Sequence, residues 1–158
     1  MKKLASLMVV TLVFILSVGV VSAQSKEEIV ALVKQTRSDI EKNAGATLGK
    51  ITKGEHPYKD SKNPSLYVFV LDSELNVAAH PIKPQNVGKN LKGKPDIKGK
   101  MFRDEMQKKA LEDGKGWVDY YYLNPKTKEE AHKESYFELA NGSDGKKYIV
   151  GCGRYLDK

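Results

Sequence analysis

Residues 117–155 decide the fold. They read Trp117-Val118-Asp119-Tyr120-Tyr121-Tyr122-Leu123, then Asn124-Pro125-Lys126-Thr127, a run from Lys133 to Leu139, Asn141-Gly142-Ser143-Asp144-Gly145, and a last run from Lys147 to Tyr155. Aromatic and β-branched runs bounded by turn residues predict strands. Asn-Gly and Asp-Gly accept positive φ, so the 141–145 segment is a hairpin turn. Three consecutive hairpin-linked strands imply an antiparallel sheet in an α+β fold, with helices expected on one side.

Upstream, Met101, Phe102, Met106, Ala110 and Leu111 recur at helical spacing, and Gly114 and Gly116 end that helix. Before it, Pro81 to Lys100 holds three prolines, three glycines and six lysines (83, 89, 92, 94, 98, 100), which predicts an extended loop. Leu66 to Leu71 reads as a strand buried on both faces, with a short returning strand from Val77 to His80. Lys50 to Pro64 is polar and broken by Gly54, Pro57 and Pro64, so it is expected to be loop or irregular helix. Ser25-Lys26-Glu27-Glu28 is a capping box. Behind it Ile29, Leu32, Val33, Thr36, Ile40 and Ala44 form one apolar stripe, predicting a long helix from about Ser25 to Ala46, stopped by Gly45 and Gly49.

The first residues have a different character. Lys2 and Lys3 precede an uncharged, mostly apolar run from Leu4 to Val21, which ends in Val21-Ser22-Ala23. That layout predicts a secretory signal peptide over 1–23 and a mature domain over 24–158; the alternative is an uncleaved anchor. Loss of Lys2 and Lys3 would lower the formal net charge of +7 by two. The length suits one domain, and 40% hydrophobic with 30% charged residues describes a folded chain. An exported basic protein favours anionic small molecules or surfaces and argues against intracellular nucleic acid. The expectation is a periplasmic or secreted protein with no stable span after cleavage.

One cysteine, Cys152, excludes an internal disulfide framework, and His56, His80 and His132 lack metal-ligand spacing. No metal or cofactor is expected. Neither Gly-x-Ser-x-Gly nor His-Glu-x-x-His occurs, so the reading is not that of an enzyme.

The order of several short segments resembles a known family. These are Leu66 to Asp72, Ala79-His80-Pro81, Pro84 with Val87-Gly88-Lys89-Asn90, and Asp96 to Phe102. After them come Gly114 to Tyr120, Asn124-Pro125, Lys133-Glu134-Ser135-Tyr136 and Gly151 to Tyr155. Behind a long amphipathic helix, that order resembles the single Cache type 2 pattern of extracytoplasmic bacterial sensors, over about Ser25 to Tyr155. The resemblance implies a PAS-like, five-stranded antiparallel sheet carrying a long N-terminal helix. It also implies a receptor module for small molecules, often short-chain carboxylates. In the family such a module usually sits between two membrane helices. Here nothing follows the last strand, which points to a stand-alone exported domain, and Lys146-Lys147-Tyr148 replaces an aromatic-Trp pair.

The resemblance makes Lys133 and Tyr136 candidate ligand contacts, an ammonium and a phenol able to hold a carboxylate. His80, just before Pro81, could face the same cavity as donor or, when protonated, as counter-charge. Alternation sends Trp117 and Tyr121 to one face of their strand and Tyr120 and Tyr122 to the other. One set is core and the other walls a pocket, so Trp117 and Tyr120 are both candidates; Tyr67 has the same ambiguity. The reading is a binding domain for a small organic acid, feeding a membrane receptor or transporter. Its rival is a protein- or glycan-interaction module without an enclosed pocket.

Overall fold

The computed structural model describes residues 25–156. The expected leader, 1–23, lies outside them. No helix among the described residues is long and apolar enough to cross a membrane.

Five strands form one antiparallel sheet: β1 (Val68–Asp72), β2 (Val77–Ala79), β3 (Lys115–Leu123), β4 (Glu130–Asn141) and β5 (Lys147–Tyr155). Their order across the sheet is β2-β1-β5-β4-β3. β3 pairs with β4, and β4 with β5, through the two turns expected from sequence. β1 then pairs with β5, with Val68 opposite Cys152 and Val70 opposite Val150.

The N-terminal capping box forms as expected: Ser25 Oγ accepts from the Glu28 amide, and the Glu28 carboxylate accepts from the Ser25 amide. The helix behind it is not continuous. It divides at Asn43 into α1 (Lys26–Lys42) and α2 (Ala44–Lys53). Asn43 leaves helical geometry, at φ −154° and ψ 87°, and its Oδ1 accepts from the Ala46 amide. The Ala44 amide, which the break frees, donates to Ser143 Oγ at 2.9 Å. Neither Gly45 nor Gly49 ends α2; Gly54 does, in the left-handed conformation at φ 72°.

The helices do not share one side of the sheet. Ile29, Val33 and Ile40 of α1, with Ala44 and Ile51 of α2, pack on Val68, Val70, Tyr136, Ala140, Val150 and Cys152. On the opposite face α3 (Phe102–Asp113) packs Phe102, Met106 and Ala110 against Phe69, Val118, Tyr120, Phe137 and Ile149. The reason lies in burial on both faces. Residues of β1 and β5 are apolar on both sides, so one helical layer would leave half of them in water, at about 1.5–3 kcal/mol per large side chain.

Gly151 belongs to this second face. A Cβ there would collide with the Phe69 ring, so glycine lets that ring lie across β5. The 81–101 loop is extended as expected, apart from one short 3-10 turn at Pro84–Asn86, and it continues the second face beside α3.

Candidate functional site

The second face holds a small cavity of about 30 Å³. That is room for a water-sized group. Tyr67, Phe69, His80, Tyr120 and Tyr122 line it from the sheet; Asn86, Leu91, Phe102 and Arg103 line it from the loop and α3. The Phe102 ring stacks on Tyr120, with centroids 3.9 Å apart. His80 lies near the rings of Tyr67, Phe69 and Tyr122, at 5.4 to 6.5 Å. Arg103 sits 4.1 Å above the Phe102 ring and donates to the Lys94 carbonyl, while Lys83 Nζ lies 4.2 Å from the centre of Tyr122. Arg103 lines the cavity directly, whereas Lys83 reaches it through the Tyr122 ring.

His80 ends β2, and the chain turns at Pro81. That turn sets the ring's tautomer. Nδ1 accepts from the backbone amides of both Ile82 and Lys83, each at 3.2 Å, so in the neutral ring the proton belongs on Nε2. Burial, reinforced by the charges of Lys133, Lys83 and Arg103, lowers the His80 pKa to about 3. In the ligand-free domain His80 is therefore a neutral donor at neutral pH. Nε2 has no acceptor among the described residues.

Lys133, on β4, is fully buried. Its ammonium donates to Tyr67 Oη at 2.9 Å and lies 4.0 Å from the centre of that ring. The rings of Tyr155, Tyr122 and Phe69 surround it at 5.0, 5.8 and 5.9 Å. No carboxylate among the described residues pairs with it. Burial without a counter-ion lowers its pKa to about 7. Lys133 does not line the cavity directly; it reaches it through Tyr67, Tyr122 and Phe69. Tyr120 Oη pairs with Ser135 Oγ at 2.9 Å, and Tyr155 Oη donates to the Leu123 carbonyl.

The structure thus brings together four of the six expected site residues: Tyr67, His80, Tyr120 and Lys133. Tyr136 and Trp117 are on the other face. Alternation along β4 turns Tyr136 away from Lys133 toward α1, where its hydroxyl donates to Glu138 at 2.7 Å. Trp117 packs against Tyr136, with centroids 5.3 Å apart, beneath the Lys26 ammonium. Both belong to the helix-covered core. Sequence reasoning missed Arg103, Asn86 and Leu91. The signal for Arg103 was present: one arginine directly after Phe102, at the start of a helix that closes a lysine-rich loop.

The fold recurs in solved structures. A periplasmic sensor domain of a chemotaxis protein is 25% identical, with 83% of this chain and 90% of that one covered and a TM-score of 0.63. A methyl-accepting chemotaxis protein from Vibrio parahaemolyticus is 22% identical, with 84% and 88% covered and a TM-score of 0.66. A Cache chemosensory domain described as recognising carboxylic acids is 24% identical, with 83% and 92% covered and a TM-score of 0.65. Residues 16–158 match a sequence family that embraces the whole described domain. That family is single Cache domain 2, and the chain belongs to it.

Proposed function

We propose that this Cache domain is exported, is not an enzyme, and binds a short-chain monocarboxylate in the cavity between the sheet and α3. Lys133 carries the reading. It is a fully buried amine whose only hydrogen-bond partner among the described residues is a phenol. Burying an ammonium without a counter-charge costs several kcal/mol, and a ligand carboxylate would supply the missing charge. The His80 Nε2 donor and the Tyr67 hydroxyl add neutral contacts beside it. A cavity this small suits a compact ligand, and anything larger than water requires its lining to give way. One structural neighbour is described as recognising carboxylic acids, which agrees with this ligand class.

Micromolar affinity needs about 8 kcal/mol, within reach of an enclosed site with one charged pair. Calorimetry with acetate, propionate, pyruvate and lactate tests the reading. Heat with at least one acid is expected, and it should vanish in Lys133→Met, whose side chain fills the same space without charge. Silence with all four acids overturns the ligand class. Unchanged binding by Lys133→Met overturns the site.

The small cavity also favours a second reading, an interaction module that uses surface charge alone. Salt separates the two: surface contacts fade as ionic strength rises, whereas a desolvated site keeps most of its affinity. A binding domain must report its state, and a membrane receptor or transporter is the proposed recipient, contacted through the exposed side of α1. Ligand-dependent cross-linking in the native envelope should recover that partner. Recovery of only monomer or self-dimer in both states removes its support.

A further inference from the structure

One turn of the lysine-rich loop has a feature that ligand binding does not use. Asp96 organises it: its Oδ1 accepts from the Lys98 and Lys100 amides, its Oδ2 from the Tyr121 amide on β3. Backbone bonds from Gly99 to Asp96 and from Asp96 to Lys100 close the turn. It is stapled to the sheet edge, yet it holds Ile97 outward at 60% exposure, the most exposed large apolar side chain among the described residues. Met101, just beyond it, is 46% exposed.

Lysines adjoin this apolar tip in the chain, with Lys98 beside Ile97 and Lys94 and Lys100 within three residues of it. Lys92, Lys94 and Lys98 make no ion pair among the described residues, and neither do Lys126 and Lys128 in the neighbouring β3–β4 turn. Ile97 and Lys98 share a groove with half-exposed Tyr121, with Thr127, and with two acidic side chains, Glu129 and Glu130. Between Pro81 and Met101 six lysines face one acid, Asp96, whose oxygens are taken up inside the turn. The turn also lies at the end of the domain where α1 begins. Lys100 pairs with Asp119 at 2.9 Å, Lys26 of α1 pairs with Glu134 at 3.2 Å, and Asp119 stands opposite Glu134 across β3 and β4.

We infer that the Asp96–Met101 turn docks on an anionic phospholipid surface, with Ile97 entering the headgroup boundary and the adjoining lysines meeting the lipid charge. Lysines alone would suit any polyanion. A turn that presents an isoleucine at its tip adds apolar area that a bilayer rewards and a soluble polyanion does not. The inference is independent of the carboxylate site.

Vesicles of phosphatidylcholine, with and without phosphatidylglycerol, test it with the protein as exported. Binding should require phosphatidylglycerol, and Lys98→Gln should weaken it about fivefold. Ile97→Trp gives a readout that does not depend on the N-terminal segment. Against wild type, whose single Trp117 sets the background, the added indole should be quenched by brominated lipid in anionic vesicles. No quenching beyond wild type overturns the inference, as does equal binding by Ile97→Asp and wild type. Equal affinity for a soluble acidic polysaccharide, indifferent to residue 97, would assign the turn to glycans and overturn the lipid.

Discussion

Lys133 behaves as a titrating switch at the scale of one side chain. Burial raises Tyr67 and Tyr155, pushes the Cys152 thiol up to about 12, and holds His80 neutral. Burial lowers the Lys133 amine to about 7. A carboxylate needs the ammonium form, so affinity should be flat between pH 5 and 7 and fall about tenfold per unit above 7. Calorimetry across that range checks it, and a flat profile to pH 9 would remove Lys133 from the contact. Stability has its own sign. The folded pKa is below the unfolded one, so the cost of burying the charge is full below pH 7 and fades as pH rises toward the ordinary lysine value. Lys133→Met should therefore stabilise the ligand-free domain by about 1–4 kcal/mol below pH 7, and less at pH 9, in urea unfolding. The sequence showed Tyr120 and Tyr122 on the face opposite Trp117 and Tyr121. It did not show which face carried the cavity, because that depends on which side α3 crosses. Tyr136 was legible: three residues from Lys133 on one strand, it must face the other side of the sheet, whichever side α3 crosses.

Among the elements, the α1–α2 break is the clearest departure from periodicity. The apolar stripe runs through Asn43 without interruption, since Ile40, Ala44 and Ile51 all stay buried. What divides the helix is a side-chain cap plus Ser143, a residue from the distant 141–145 turn. Tertiary partners of that kind leave no local sequence signal. Asn43→Ala removes the acceptor for the Ala46 amide and should cost about 1 kcal/mol, while Asn43→Asp keeps most of it. Thermal unfolding of both variants decides. Equal melting temperatures for Ala, Asp and wild type would mean that Ser143 alone sets the break. The strands were far more legible, because alternation and Asn-Gly-type turns are local. The last strand begins at Lys147 and ends at Tyr155, as its residues predict.

For the whole molecule, the leader can be weighed directly. If 1–23 is removed on export, the intact mass of the protein from its native host should correspond to a chain beginning at Gln24; a chain still beginning near Met1 and pelleting with membranes would replace cleavage by anchoring. The strand order has a consequence for how such a chain is made. β5 lies between β1 and β4, so it joins the N-terminal pair of strands to the C-terminal pair. Until residues 147–155 emerge, β1 and β2 have no third strand, and a lone hairpin is marginal in water. The sheet is therefore complete only once residues 147–155 are in place. The same geometry makes loss of that segment catastrophic: truncation before Lys147 opens the centre of the sheet and not its rim. Such a fragment should show no cooperative melting, whereas one that lacks only the last two residues should unfold like the intact domain.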